Sequence, residues 1–416
     1  MSYLAPAGTP IPLALFGTAL LQGLREPDVA DRLASTLARH SGHSRSWLIS
    51  TGRAAMVVAL EAIREVVQDP RRTEVIVPGY TCYSVPASVL RAGLKPRLCD
   101  IDPRTLSLNL DRLRQFDFSR VLAIVTANLY GVPNALAEIE AIARNAGVLM
   151  LDDAAQALGA QYAGRPAGGF GDIGLYSFDK GKNITSMDGG ALITSHPALA
   201  DAIDRRHRSL APTPASKSGI TVIKLLAYSL LLQPRLYGIV RRAPFLGLGK
   251  TVYEDSYPLL QYHRVLAGFA GQLYARLPEF TATRRNNANA LALALRSIRG
   301  IDQVELLDSS VPGFTRLPVL VADQSLRAKL IDALDHAGVG ATTSYPKALS
   351  DVPELAAHLQ AEDLAIPGAR QVADRIVTLP VHPYCPPDYA LRVARTLESA
   401  FAGSAGTHNN TRSVLS

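Results

Sequence analysis

The stretch LYSFDKGKNITSMDGGALIT, residues 175–194, decides how this chain folds. A β-prone run at 174–178 leads into a polar loop with Lys180, Lys182 and Asn183, which turns at Gly189-Gly190 into a second β-prone run at 191–194. Upstream, LMLDDAAQALGA at 149–160 ends another apolar run on two carboxylates, Asp152 and Asp153, followed by Gln156. Working outward, residues 46–195 alternate short β-rich runs with helical stretches. Strands are expected at 75–77, 96–99, 121–126 and 148–151, and helices at 54–67, 85–91 and 135–145, each started or stopped by Gly, Pro or Asn. The alternation predicts an α/β fold with a large, mostly parallel sheet covered on both faces. Ligands of such sheets sit beyond the carboxyl ends of the strands, where these motifs fall.

The remaining chain divides by composition. An N-terminal arm and helix is expected over 1–45, the large domain over 46–204, an apolar basic insertion over 205–262, a connecting helix over 263–299 and a smaller C-terminal α/β domain over 300–402. In that domain the pattern predicts a strand at 317–321, a helix at 326–337 and a strand at 341–345. The Gly, Ser, Thr and Asn of 403–416 predict a disordered tail. Within the insertion, residues 219–249 are apolar with flanking bases, but Lys224, Pro234 and Arg235 interrupt them before the roughly 20 apolar residues a membrane span needs. Two readings stay open: a basic hairpin in a membrane interface, or packing against the partner of a dimer or the protein's own core.

Composition narrows the function classes. The chain has 416 residues, 48% hydrophobic and 19% charged, enough to bury a large core, and a formal charge of +7 that suits an anionic substrate or lipid headgroup. No run of Lys and Arg interleaved with aromatics speaks for nucleic acid. Cys82, Cys99 and Cys385 lie far apart without a CxxC pair, so neither a disulfide framework nor a thiolate metal site is expected, and a reducing cytoplasmic setting fits. His263 and His382 have no neighbours at metal-ligand spacing and read as structural, as do Asp172 and Asp188 in turns. The first 24 residues carry no charge, yet Pro6, Pro10 and Pro12 interrupt them and no basic run precedes them, which argues against a signal peptide.

Three segments carry chemistry. A carboxylate at a buried strand end needs a partner to offset its desolvation; for a lone Asp that is most often a helix cap or an ion pair. A lysine at a strand end can form an imine with an aldehyde cofactor, while a buried Asp holds a pyridine nitrogen protonated. Asp153 and Lys182 can cooperate so only if their strand ends converge. The third segment, LISTGRAAMVVAL at 48–60, takes a strand through Gly52 into a helix whose first amides could cradle a phosphate, although such a start is commonly an ordinary turn.

Taken together, these segments resemble the DegT/StrS-type sugar aminotransferases, a branch of the fold type I pyridoxal-phosphate enzymes. The resemblance rests on Thr51-Gly52-Arg53-Ala54-Ala55-Met56, Val77-Pro78-Gly79-Tyr80-Thr81, Asp100-Ile101-Asp102-Pro103, Asn128-Leu129-Tyr130-Gly131, residues 152–160, Ser177 to Asn183, Gly189-Gly190-Ala191 and Leu379-Pro380-Val381-His382-Pro383. It implies pyridoxal 5'-phosphate held as a Schiff base on Lys182, with Lys180 a decoy. Asp153 would pair with the pyridine nitrogen, Gln156 would meet the ring-hydroxyl side, and Ser177 with the amides of Arg53 and Ala54 after Gly52 would hold the phosphate. Where the family has an aromatic stacking on the ring, this chain has Cys82 and then Tyr83, and either takes that place. Arg53 replaces a small hydroxyl residue; its side chain binds phosphate or forms a surface salt bridge. The segment that reaches the neighbouring subunit's site has only a faint counterpart in Tyr262-His263-Arg264.

The implied activity is amino transfer from an amino acid, glutamate by expectation, to a keto sugar, nucleotide-activated by expectation, in polysaccharide or glycoconjugate synthesis, by a cytoplasmic homodimer. Two other enzymatic readings are a sugar dehydratase, though such relatives have lost the lysine, and an aminotransferase for another carbonyl. A binding or regulatory protein on the same fold is the alternative of another class. It would have no use for Asp153, Gln156, Ser177 and Lys182 together.

Overall fold

The computed structural model describes residues 2–240 and 253–405. Seven strands form the large sheet: β1 (Arg45–Ile49), β2 (Glu74–Pro78), β3 (Lys95–Cys99), β4 (Val121–Val125), β5 (Leu149–Asp153), β6 (Ile173–Ser177) and β7 (Gly190–Thr194). Their order is β1-β7-β6-β5-β4-β2-β3. Only β7 runs against its neighbours, pairing antiparallel with both β1 and β6, while the other pairs are parallel. The strands β2, β4, β6 and β7 are buried at every position, as a sheet covered on both faces requires. Alternation divides the core: Val75, Val77, Val125 and Leu151 join one apolar cluster, Ile76, Ile124 and Met150 the other.

The first cluster is built on the helix Gly52–Val67, whose residues from Ala54 to Leu60 are all buried. Thr51 caps its start and Gln68, in the left-handed region, ends it. Before β1 stand two helices, Leu13–Arg25 and Val29–Ser41, where one was expected; Pro27, which cannot continue the first, separates them. The expected long helix near 266–298 is likewise two, Arg264–Ala275 and Leu277–Leu295, with Pro278 in the first turn of the second.

A smaller antiparallel sheet follows, β8 (Ile301–Gln303), β9 (Arg316–Val321) and β10 (Ile376–Pro380), in that order. Leu317, Val319 and Val321 pack there with Leu330, Leu334 and Val393 of the helices Gln324–His336 and Tyr389–Ala405. The expected strand at 341–345 does not form. Thr342 makes a single bridge to Thr378, and the left-handed Ser344 followed by Pro346 turns the chain toward the large sheet. The last helix reaches Ala405, past residue 403 where the tail was expected to begin; residues 406–416 lie outside the described residues, as do 241–252 of the insertion. The insertion's described residues include the end of the helix Pro197–Ser209 and two further helices, Ala215–Leu231 and Pro234–Val240.

Candidate active site

The carboxyl ends of β1, β5 and β6 and the start of β7 meet at one sheet edge. Ser177 pairs with Gly190, and Gly190 with Ile49, so the helix that begins at Gly52 starts beside the end of β6. The approach is close enough that a Cβ on Gly52 would stand 3.0 Å from both Cβ and Oγ of Ser177, and one on Gly190 would stand 2.8 Å from the Gly52 Cα. Such a helix start, with a hydroxyl beside it, suits an anion. Thr51 Oγ1 accepts from the Ala54 amide at 3.0 Å. Of the two amides expected to face a phosphate, Arg53's is therefore the one the cap leaves.

At the end of β5, the two carboxylates have different surroundings. Asp152, fully buried, accepts from Thr126 Oγ1 at 3.1 Å, Asn128 Nδ2 at 2.7 Å and the Gly168 amide at 2.6 Å. It is a structural anchor, and burial raises its pKa against those bonds. Asp153 Oδ1 accepts from the Ala155 amide at 2.9 Å. Burial pushes its carboxyl up to about 6, opposed by that bond and by the positive charge of Lys182. The chain thus holds a buried carboxylate at a strand end with Lys182 as its cationic neighbour, an environment made for a further positive partner.

Lys182 lies half-buried in the loop between β6 and β7, while Lys180 is exposed. The loop is held from several sides. Thr9 Oγ1 donates to the Lys182 carbonyl at 2.6 Å, and the fully buried Arg284 donates to the carbonyls of Asn183 and Gly8, both at 3.1 Å, and to Thr9 Oγ1 at 2.7 Å. Burial lowers the Arg284 pKa to about 10. Asn183 Nδ2 donates to the Gly313 carbonyl at 2.8 Å. His382, also fully buried, hydrogen-bonds the Ala5 carbonyl at 2.9 Å, and burial brings its pKa down to about 4, which fits the structural role read from sequence. His263 accepts from the Val265 amide at its helix start, and Asp172 Oδ2 accepts from the Met150 amide.

Gln156 Oε1 accepts from the Tyr130 amide at 3.2 Å and its Nε2 donates to the Tyr345 hydroxyl at 3.0 Å. Tyr345 packs edge-on to Tyr80, with ring centres 5.7 Å apart, and lies 6.2 Å from the ring of Tyr83. The Tyr83 hydroxyl accepts from the Lys347 amide at 3.2 Å, which ties that ring to the loop after Ser344, while Cys82 accepts from Ser84 Oγ at 3.0 Å. The Arg53 side chain turns away from the cradle: it pairs with Glu254 and stacks on Tyr257 at 4.7 Å, the salt-bridge alternative read from sequence. Tyr262 packs within its own chain, its hydroxyl 2.6 Å from Ser186 Oγ and its ring against Gly189. Tyr130, Met187 and Ser344 adopt φ values of 58°, 69° and 61° around this edge, the backbone strain that accumulates at functional sites.

The structure adds Tyr345, Thr9 and Arg284 to the residues read from sequence. Tyr345 sat in a run that looked like a strand. Thr9 and Arg284 are 173 residues or more from their partners in the loop or the arm, or 101 in the case of Asn183, and no local pattern marks them.

The model of the DegT/DnrJ/EryC1/StrS aminotransferase family matches residues 21–212 and 267–398. L-glutamine:2-deoxy-scyllo-inosose aminotransferase of Streptomyces kanamyceticus is 36% identical over 151 residues, 36% of this chain and 34% of that protein. The chain thus matches about a third of that relative's length. GDP-4-keto-6-deoxy-D-mannose 3-dehydratase of Yersinia pseudotuberculosis is 28% identical over 316 residues, 73% of each chain. In fold, the chain is similar to Helicobacter pylori PseC, an aminotransferase involved in the biosynthesis of pseudoaminic acid, with a TM-score of 0.78 at 15% identity over 96% of this chain and all of that one.

Proposed function

The chain belongs to the DegT/DnrJ/EryC1/StrS aminotransferase family, and from that premise we propose that it is a pyridoxal-phosphate aminotransferase that moves an amino group from an amino acid to a keto sugar. The observation that carries the reading is Asp153, a buried carboxylate pushed up to about 6 beside Lys182. A protonated pyridine nitrogen is the kind of partner that would favour the charged form of such a buried carboxylate. The cradle of Gly52 and Ser177 fits the phosphate at the other end of the same molecule.

When bound, pyridoxal phosphate supplies an aldehyde and an electron-withdrawing ring. Asp153 would hold the ring nitrogen, Ser177 Oγ and the Arg53 amide the phosphate, and Gln156, fixed by Tyr130 and Tyr345, the ring-hydroxyl side. Cys82 and Tyr83 lie on the strand-end loop expected to cover the ring. Lys182 Nζ would hold the aldehyde end of the group and, as a free amine, would be the base that takes a proton from the substrate carbon and, as its ammonium, the acid that delivers it to a different carbon. The Thr9 and Asn183 contacts would hold its backbone in place during that exchange.

A keto sugar, nucleotide-activated in our reading, is the acceptor. Glutamate is the expected donor, and the name of the Streptomyces relative adds glutamine as a candidate. A cytoplasmic homodimer completes the reading. The dehydratase among the relatives keeps sugar dehydration as the second reading. Lys182 favours amino transfer, since the dehydrating branch of the resemblance lacks that lysine.

The deciding experiment is the visible spectrum of the protein with pyridoxal phosphate, before and after glutamate or glutamine, for the wild type and Lys182→Ala. A visible band that an amino donor bleaches in the wild type and that never forms in the variant supports the proposal. No band in the wild type would overturn the lysine assignment and favour the binding-protein reading.

A further inference from the structure

The helix Ala215–Leu231 is packed with its apolar side outward. The residues it buries include Ser218, Thr221 and Ser229 beside Leu225, and those it leaves most exposed include Ile220 at 54%, Ile223 at 69% and Leu226 at 38%. Thr221 Oγ1 is directed at Asp188 and the Tyr228 hydroxyl accepts from the Thr9 amide, so the inward face is fixed by polar contacts to the loop and the arm. The next helix, Pro234–Val240, also exposes large apolar side chains, Leu236 at 39% and Ile239 at 70%. A helix of a water-soluble surface carries its isoleucines inward. The orientation here means that this face meets something other than water.

Charge says what. Exposed Lys224 and Arg235 and half-buried Lys217 lie on the same two helices, and from Arg205 to Tyr253 the sequence has no acidic residue. A second copy meeting this face across a two-fold axis would bring the same stretch of chain, which has no carboxylate to offer these cations. An anionic bilayer offers both missing partners, acyl chains for the isoleucines and phosphate headgroups for the bases. Among the described residues no helix is long and apolar enough to cross a membrane, so contact would be from one side.

We infer that the helices Ala215–Leu231 and Pro234–Val240 dock the enzyme on anionic phospholipid surfaces, with Ile220, Ile223 and Ile239 inserted and Lys224 and Arg235 on the headgroups. The inference rests on surface packing and charge and does not depend on the proposed reaction.

The test is co-sedimentation of the cofactor-loaded full chain with phosphatidylcholine vesicles with and without phosphatidylglycerol. Wild-type protein should pellet with the anionic vesicles and stay in solution with the neutral ones. Lys224→Gln should weaken binding about fivefold, the effect of one cation near such a surface, and Ile223→Ser with Ile239→Ser should abolish it. These side chains are exposed, so the variants should keep the wild-type circular dichroism and cofactor spectrum. Equal pelleting with both vesicle types, or none with either, overturns the inference. So does a fall in molecular mass in the isoleucine variant by analytical ultracentrifugation without loss of vesicle binding, which would assign the face to a second copy.

Discussion

Thr9 and Lys182 are joined by a 2.6 Å hydrogen bond from the Thr9 hydroxyl to the Lys182 carbonyl, and Arg284 holds that hydroxyl in turn. The arm that carries Thr9 also pairs with the small domain, through a parallel bridge between Leu4 and Val339 and the contact of Ala5 with His382. Arm, loop and small domain therefore form one hydrogen-bonded unit around Lys182.

Arg284 is the centre of that unit, and its bonds run to two carbonyls and a hydroxyl. Arg284→Met would remove the guanidinium donor from the Gly8 carbonyl and from Thr9 Oγ1 and leave the Asn183 carbonyl only the Thr9 hydroxyl, at about 1–3 kcal/mol each. The expected result is a fall in unfolding free energy of at least about 3 kcal/mol in urea titrations, partly restored in Arg284→Lys. Thr9→Val should cost about 1 kcal/mol and lower kcat more than it raises KM. An unchanged kcat in Thr9→Val would show that the loop does not need the arm.

Asp153 yields a prediction with a definite sign. Its folded pKa of about 6 lies above the ordinary 3.8, so between those values the folded state binds the extra proton and stability falls as pH rises. The penalty is complete above about pH 6 and is on the order of 3 kcal/mol. Asp153→Asn should therefore make the cofactor-free protein more stable at pH 8 than the wild type, with little difference at pH 4. The same variant should lose amino transfer, because a neutral amide does not keep the ring nitrogen protonated. A variant less stable than wild type at pH 8 would refute the assigned electrostatics.

The large sheet was legible in sequence because its strands are short apolar runs between glycines and prolines, and the helix from Gly52 carries its own capping signal in Thr51. The meeting of Gly52 with Ser177 and the approach of the Lys182 charge to Asp153 follow once β5 and β6 are neighbours. The small domain was less legible. The strand expected at 341–345 reads as β-prone, but Gly340, the left-handed Ser344 and Pro346 keep it from pairing fully, and it delivers Tyr345 to Gln156 instead. The outward isoleucines of Ala215–Leu231 were also beyond sequence. The apolar run is visible there, but which side faces the fold depends on hydroxyl contacts of Thr221 with Asp188 and of Tyr228 with the Thr9 amide.

Gly52 is where space alone should decide cofactor affinity. A methyl group there would stand 3.0 Å from Cβ and Oγ of Ser177, tight enough that the serine must shift. Gly52→Ala is expected to weaken pyridoxal phosphate binding about tenfold or more, as loss of one well-placed phosphate contact would. Pyridoxal, which has no phosphate, should bind wild type and variant alike. Fluorescence titration with both compounds separates a phosphate cradle from a general disturbance of the site.

His382 should set the acid limit of the fold. Buried against the Ala5 carbonyl, its pKa is depressed from 6.5 to about 4, so below pH 6.5 the unfolded chain takes up a proton that the folded chain refuses. Stability then falls as pH drops from 6.5 to 4, by on the order of 3 kcal/mol, opposite in sign to the effect of Asp153 over much of the same range. In an Asp153→Asn background, which removes the opposing group, the acid slope should steepen. Adding His382→Gln, whose amide can still reach the Ala5 carbonyl, should flatten it. Urea midpoints at pH 7, 5.5 and 4.5 for the single and double variants check the order. If His382→Gln leaves the slope unchanged, the acid sensitivity lies elsewhere, and the contact between arm and small domain is indifferent to protonation.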